Sequence, residues 1–207
     1  GCLAIAAAQI LRYHMWPPCG SGSHGYYWFG APSIPAQNIF ADFSDPYDWN
    51  NMLNAYSPLG QEPQICKDAV AELCFEVGVA MEMGYGIEAS GIHDSLSSFI
   101  YNMYPRYFRY STGIDSAKRA DYTAQEWFDL IKNEINTSRP IEYMLYGHAV
   151  VCDGWRVLGS LNQIHMNYGW ADNYNNWYTI DNLYIGNPNY EWIIKNIIPL
   201  RNATPQI

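Results

Sequence analysis

Cations are scarce in this chain of 207 residues. Lys and Arg number 11 against 20 Asp and Glu, a formal charge of −9. Nucleic acids and anionic membrane surfaces need clustered cations, so this balance argues against both as partners. Long apolar runs are absent as well: the longest, Leu3 to Ala8, falls far short of the ~20 residues that span a bilayer. The five cysteines (2, 19, 66, 74 and 152) contain no CxxC, and their spacing fits no zinc framework. No metal site is therefore expected, and the odd number leaves at least one thiol free. Repeats, low-complexity tracts and obvious linkers are also missing. So are a signal peptide and an initiating Met. A polypeptide opening at Gly1 is expected to be processed or trimmed, with a leader and pro-segment lost.

What is present is material for a core. Apolar residues make up 49% of the chain and aromatic residues 16%, which excludes disorder and allows one domain or two packed lobes. The spacing predicts a first helix from about Cys2 to Tyr13, apolar on almost its whole surface and ended by Pro17-Pro18. Residues 19 to 63, rich in Gly, Pro, Ser and Asn, read as ordered loops with a short hairpin and a helical turn around Trp49 to Ala55. Pro63 opens a second helix with Ile65, Ala69, Leu73 and Val77 on its inner face. Lys67, Asp68, Glu72 and Glu76 lie largely elsewhere, and Gly78 is the expected stop. A glycine-punctuated loop covers 83 to 91, and a third helix is expected from Ile92 to about Tyr101. Thr123 and Glu126 form a T-x-x-E capping box for a fourth.

After Pro140 the pattern changes. IEYMLYG, HAVVCDGWRV, QIHMNYGW, NWYTIDNL and EWIIKNIIPL are short β-branched and aromatic runs separated by Gly, Asn and Asp. The expected fold class is α+β. It is a single domain with a mainly helical lobe over about 1–135 and a mainly antiparallel sheet lobe over about 136–207.

A cysteine at a helix N-terminus sits where the macrodipole favours a thiolate, which singles out Cys2. A nucleophile needs a base, and the base an orienting partner. His148 follows Gly147 at the start of an apolar strand, and Asn167 ends another. The order Cys2, His148, Asn167 fits the thiol-protease pattern of a cysteine near the mature N-terminus with His and Asn ~130–150 residues downstream. The Asn oxygen would fix the tautomer of the imidazole. His165 shares the face of Asn167 and is a second candidate base. Asp153 is an alternative orienting carboxylate, read first as structural. His14 reads as a cation at the end of the first helix, and the four other cysteines as structural.

GCLAIAAAQILRYHMWP, GHAVVCDGW and HMNYGW together resemble the streptopain family of secreted bacterial cysteine proteases. That family's segments read like GCVATATAQI-x-x-YH-x-x-P, GHAFVIDG and HVNWGWGG. DWNNML and VGVAMEMGYG are similar more weakly, and the resemblance spans positions 1 to about 181. It implies a papain-like fold with the site in a cleft between the lobes, and an endopeptidase working through an acyl-enzyme without metal or organic cofactor. Cys2 matches the nucleophile, His148 the general base and acid, and Asn167 the residue orienting it. Trp170 matches a tryptophan shielding that pair from water. Tyr168 stands for the family's other tryptophan, and Ala171-Asp172 for its double glycine. Gly147, Gly84, Gly86 and Ser90 are candidate substrate-binding positions. Implied partners are protein or peptide substrates and an N-terminal pro-segment inhibiting the precursor, and the implied location is secreted or at the cell surface. The resemblance also implies a preference for a hydrophobic residue two positions before the scissile bond.

The family also places an oxyanion-hole glutamine a few residues before the cysteine. Gln9 lies two helical turns beyond Cys2, ~10 Å away, and does not replace it. The Cys2 backbone N–H is one remaining donor. Two other readings stand beside the protease: an impaired homologue binding peptide or polysaccharide at a surface, and a Cys-His amidase or acyltransferase on the same scaffold.

Overall fold

The computed structural model describes residues 1–207 except 58, 88, 93–96 and 202–207. Its chain falls into two compact units. Gly1, Leu3–Thr112 and the segment from Ile198 form one, and Cys2 with Gly113–Ile197 forms the other.

The first unit is built on helix α1 (Cys2–His14), which buries Leu3, Ala4, Ala6, Ala7, Ala8, Ile10 and Leu11. Small alanines let neighbours approach its backbone closely. The helix is not covered all round as expected, because Ile5 and Tyr13 are exposed. It ends before the prolines, where Met15 turns left-handed (φ 46°) and the Trp16 N–H returns to the Leu11 carbonyl at 3.3 Å. His14 is not the cation at this end. Burial, reinforced by the charge of Arg201, lowers its pKa to about 4. Arg201 itself donates to the His14 carbonyl at 2.6 Å and supplies the positive charge.

Strands β1 (Ser23–Trp28) and β2 (Gln37–Asp42) form the antiparallel hairpin expected among the loops. Around Trp49 there is only a turn, closed by Asn51 N–H to the Asp48 carbonyl at 3.1 Å. The Asp48 side chain, accepting from Asn51, offers the backbone this alternative to a helix. Helix α2 (Gln64–Ala80) has Pro63 at its N-cap. Ala69, Leu73 and Val77 are buried on its inner face as expected; in the first turn Ile65 is exposed and Cys66 is buried instead. Glu76 is buried and accepts from the Tyr47 hydroxyl. Gly78 does not stop the helix. A Cβ there would lie 2.5 Å from the Tyr85 hydroxyl, so this glycine permits a close approach.

The glycine-rich segment closes a two-residue ladder of β3 (Met83–Gly84) and β4 (Gly91–Ile92). Helix α3 runs over Ser97–Tyr107, later than expected. Residues 93–96, where the expected helix would continue, and with them His93, lie outside the described residues.

In the second unit α4 (Ala124–Asn136) begins with the expected capping box, Thr123 and Glu126 bonding reciprocally. The five runs after Pro140 all form strands: β6 (Ile141–Leu145), β7 (His148–Leu158), β8 (Leu161–Asn167), β9 (Asn176–Thr179) and β10 (Trp192–Lys195). With β5 (Asp115–Lys118) they make one antiparallel sheet ordered β5-β10-β6-β7-β8-β9. One face packs on α4, where Trp127, Phe128 and Ile131 meet Tyr143, Val150, Cys152, Ile164 and Met166. Each large side chain so buried contributes roughly 1.5–3 kcal/mol, which fixes the strands carrying His148 and Asn167.

Candidate active site

Cys2 is the first helical residue of α1, with Gly1 as N-cap. No other residue fits at Gly1: a Cβ would collide with Met83 Cε and lie 2.8 Å from the Ser90 carbonyl oxygen. The β3–β4 segment is thus packed on the residue preceding the cysteine. Ser90 also holds its own loop, its Oγ accepting the Gly86 N–H at 3.3 Å. A Cβ at Gly86 would strike the Ala89 carbonyl, whereas one at Gly84 would make only ordinary contact with Trp28.

His148 pairs with Leu145 across a tight turn formed by Tyr146 and Gly147. Gly147 has φ 73° and open space around its missing Cβ, so backbone conformation is what requires glycine. The turn aims a half-buried imidazole toward Cys2, whose side chain hydrogen-bonds it. The other contact settles the tautomer. His148 Nε2 lies 3.0 Å from the Tyr168 main-chain oxygen. A carbonyl only accepts, so Nε2 carries the hydrogen and Nδ1 keeps its lone pair for the thiol. Burial disfavours the imidazolium, but the Cys2 hydrogen bond, the Tyr168 carbonyl and the charge of Cys2 outweigh it. The net pKa of His148 is raised.

Asn167 closes β8, and its Oδ1 accepts the Gly169 N–H at 2.9 Å, turning the chain into the following loop. The loop sets two rings beside the imidazole. Trp170 stacks on His148 at 4.3 Å and 25°, and the buried Tyr168 ring lies parallel at 6.1 Å and 15°. A ring face so close keeps water from one side of the imidazole and favours its cationic form. Where the family resemblance has a double glycine, Ala171 and Asp172 keep left-handed backbone at φ 48° and 66°. The Tyr168 carbonyl escaped the sequence reading because every residue has one. Tyr174 and Tyr184, stacked at 3.9 Å beyond Trp170, were also missed. The run of tyrosines from 168 to 184 was the available signal.

Asp153 does not approach this constellation as an orienting group. It bonds His165 Nδ1 at 2.6 Å, which occupies both alternative candidates with each other. None of the five cysteines is in a disulfide. Burial drives the Cys152 thiol well above its usual pKa, consistent with an inert structural role. Among the described residues no three His, Cys, Asp or Glu side chains converge on a metal position. None of the described helices is long and apolar enough to cross a membrane.

The helical elements, the antiparallel sheet and the likeness to solved structures place the fold in the papain-like class. The chain overlays active interpain A of Prevotella intermedia with a TM-score of 0.76 at 29% identity, covering 96% of this chain and 83% of that one. A prointerpain A fragment of the same organism gives 0.77 at 32%, over 96% and 63%. The chain belongs to the peptidase C10 family, whose model matches residues 1–178. It is 32% identical to streptopain of Streptococcus pyogenes serotype M28 over 194 residues, 88% of this chain and 46% of that protein. It is 29% identical to the thiol protease/hemagglutinin PrtT of Porphyromonas gingivalis over 175 residues, 83% of this chain and 19% of that protein. The chain thus spans about half of streptopain or less of the relatives it matches.

Proposed function

We propose that this chain is the catalytic part of a secreted cysteine endopeptidase, with Cys2 as nucleophile, His148 as general base and acid, and Asn167 orienting the histidine. The observation that carries the reading is the Cys2–His148 hydrogen bond at the head of α1, with the Tyr168 carbonyl holding the proton on the far nitrogen. His148 Nδ1 takes the thiol proton, and the sulfur attacks the peptide carbonyl, helped by the positive end of the helix dipole. The imidazolium then protonates the leaving amine. Water attacks the thioester with His148 again as base, releasing the acid and the thiol. Trp170 and Tyr168 wall the imidazole. Gly147 shapes the turn that aims it, and Ser90, packed against Gly1, is assigned to substrate binding together with Gly84 and Gly86 of the same segment. None of these steps calls on a metal or organic cofactor.

Protein or peptide substrates follow from this chemistry and from the family. The likeness to a pro-form of interpain A supports synthesis as a precursor whose N-terminal pro-segment blocks the site. Secretion is the corresponding location. Iodoacetamide at neutral pH tests the nucleophile: Cys2 should be labelled stoichiometrically and at least ~10-fold faster than Cys19, Cys66, Cys74 or Cys152. Cys2→Ala should abolish hydrolysis of a denatured protein. Equal labelling of all five thiols, or full proteolysis by Cys2→Ala, would refute the assignment.

A further inference from the structure

We propose that Tyr174 and Tyr184, reached from the imidazole through Trp170, form a subsite for the substrate residue that follows the scissile bond, and that it takes an aromatic side chain. The inference rests on the reading of Cys2 and His148 as a peptide-cleaving pair. In that reaction the leaving amine must lie within hydrogen-bond reach of His148 to take its proton. The chain after the scissile bond therefore departs alongside the imidazole, past Trp170, which flanks His148, and the groups packed against Trp170.

Those groups form an aromatic ledge. Trp170 stacks on His148 at 4.3 Å and stands edge-on to Tyr174 (5.8 Å, 78°) and to Tyr184 (6.4 Å, 84°). Tyr174 and Tyr184 lie face to face at 3.9 Å and 11°. The three remain 39%, 48% and 37% exposed, enough to offer ring surface to a ligand. They are also held in place. The Tyr178 hydroxyl donates to the Tyr174 carbonyl at 2.6 Å, and the buried Tyr168 hydroxyl donates to the Tyr184 carbonyl at 2.7 Å. With the backbone anchored in this way and the two rings stacked on each other, they lose little freedom when another ring packs on them.

The backbone gives an independent sign. Gly169, Ala171, Asp172 and Tyr174 all have left-handed φ, and so does the β-branched Ile185 beside Tyr184. Residues other than glycine adopt this conformation at a cost, and such strain gathers where a chain must present particular side chains. Here it presents Trp170 on the imidazole of His148 and the two tyrosine rings on Trp170.

An amine that competes with water for the acyl-enzyme reads this subsite directly. Its nitrogen attacks the thioester carbon, a C–N bond forms and the C–S bond breaks. The amine proton passes to His148, and the imidazolium proton to the Cys2 sulfur. The whole chain would be given an N-acylated amino-acid methyl ester with phenylalaninamide or glycinamide at equal free-amine concentration. The amide-to-acid product ratio is then measured. Hydrolysis in the same tube is the internal reference. The ratio should be roughly tenfold higher for phenylalaninamide, and it should fall to within about twofold of glycinamide in Tyr174→Ala and Tyr184→Ala. Tyr174→Phe and Tyr184→Phe should retain the preference, since the ring and not the hydroxyl is required. Equal ratios for the two amines in the unsubstituted chain overturn the subsite whatever the variants do, while leaving the peptidase reading intact. No ester turnover, together with a Cys2 that iodoacetamide does not select, overturns both.

Discussion

His148 owes its raised proton affinity to its neighbours, since burial acts in the opposite direction. Removing Cys2 takes away both a hydrogen bond and a charge and leaves the desolvation. The imidazole of Cys2→Ala should therefore titrate at lower pH than in the unsubstituted chain, as followed by NMR of its ring protons. An unchanged midpoint would mean that Cys2 does not act on it. A second residue-scale expectation concerns Ala171, left-handed at φ 48° with no special tolerance for it. Ala171→Gly should stabilise the chain by roughly 0.5–1 kcal/mol, read as a higher thermal midpoint. Asp172 adopts the same region more readily, and its carboxylate accepts from Asn175 Nδ2 at 3.0 Å. At this scale the sequence names side chains with their own chemistry, and Cys2, His148 and Asn167 stand out as candidates for that reason. The acceptor opposite the imidazole is a backbone atom, and the strain at Ala171 is a property of φ. Neither is written in a residue type.

The secondary-structure elements were legible where a local rule acts alone. Thr123 and Glu126 announce α4 because their two side chains satisfy two of the helix's orphan N–H groups. Thr123→Ala should lower stability by about 1 kcal/mol. Because both residues serve one box, the loss in the double variant with Glu126→Ala should be smaller than the sum of the single losses. Simple addition of the two in chemical denaturation would show that the box does not act as a unit. The strands after Pro140 were equally plain, since β-branched and aromatic runs between turn residues have few other uses. Strand β5 was not. Asp115–Lys118 has one buried apolar residue, Ala117, and is held by pairing with β10 and by Lys195 on Asp115 at 2.6 Å. Helix α2 was legible in its buried Ala69, Leu73 and Val77, but not in Glu76, which takes an inner position next to Tyr47 that no hydropathy rule assigns to a carboxylate. Gly78 misled for a related reason: the approach of Tyr85 that requires it comes from beyond the helix.

At the scale of the whole molecule, two buried groups in the first unit set opposite pH dependences of stability. Burial and Arg201 depress His14 from 6.5 to about 4. Its folded form stays neutral while the unfolded chain takes up a proton, so its contribution is present above 6.5 and is lost as pH falls toward 4. Glu76 is raised from 4.5 to about 7, first by burial and then by Glu72, Asp45 and Asp42, against the hydrogen bond from Tyr47. The folded state keeps that proton, so its contribution is full below 4.5 and is lost as pH rises toward 7. Each effect amounts to about 1 kcal/mol per pH unit within its window. Between 4.5 and 6.5 the two slopes oppose each other, and their sum is nearly flat. Substitution separates them. In Glu76→Gln, which keeps a neutral acceptor for Tyr47, urea-denaturation stability should rise with pH across this interval. In His14→Phe, which keeps a ring beside Tyr13 and Tyr110, it should fall. Relative to the unsubstituted chain the two variants must depart with opposite sign. If both retain its slope, these groups are not the ones that couple folding to protons.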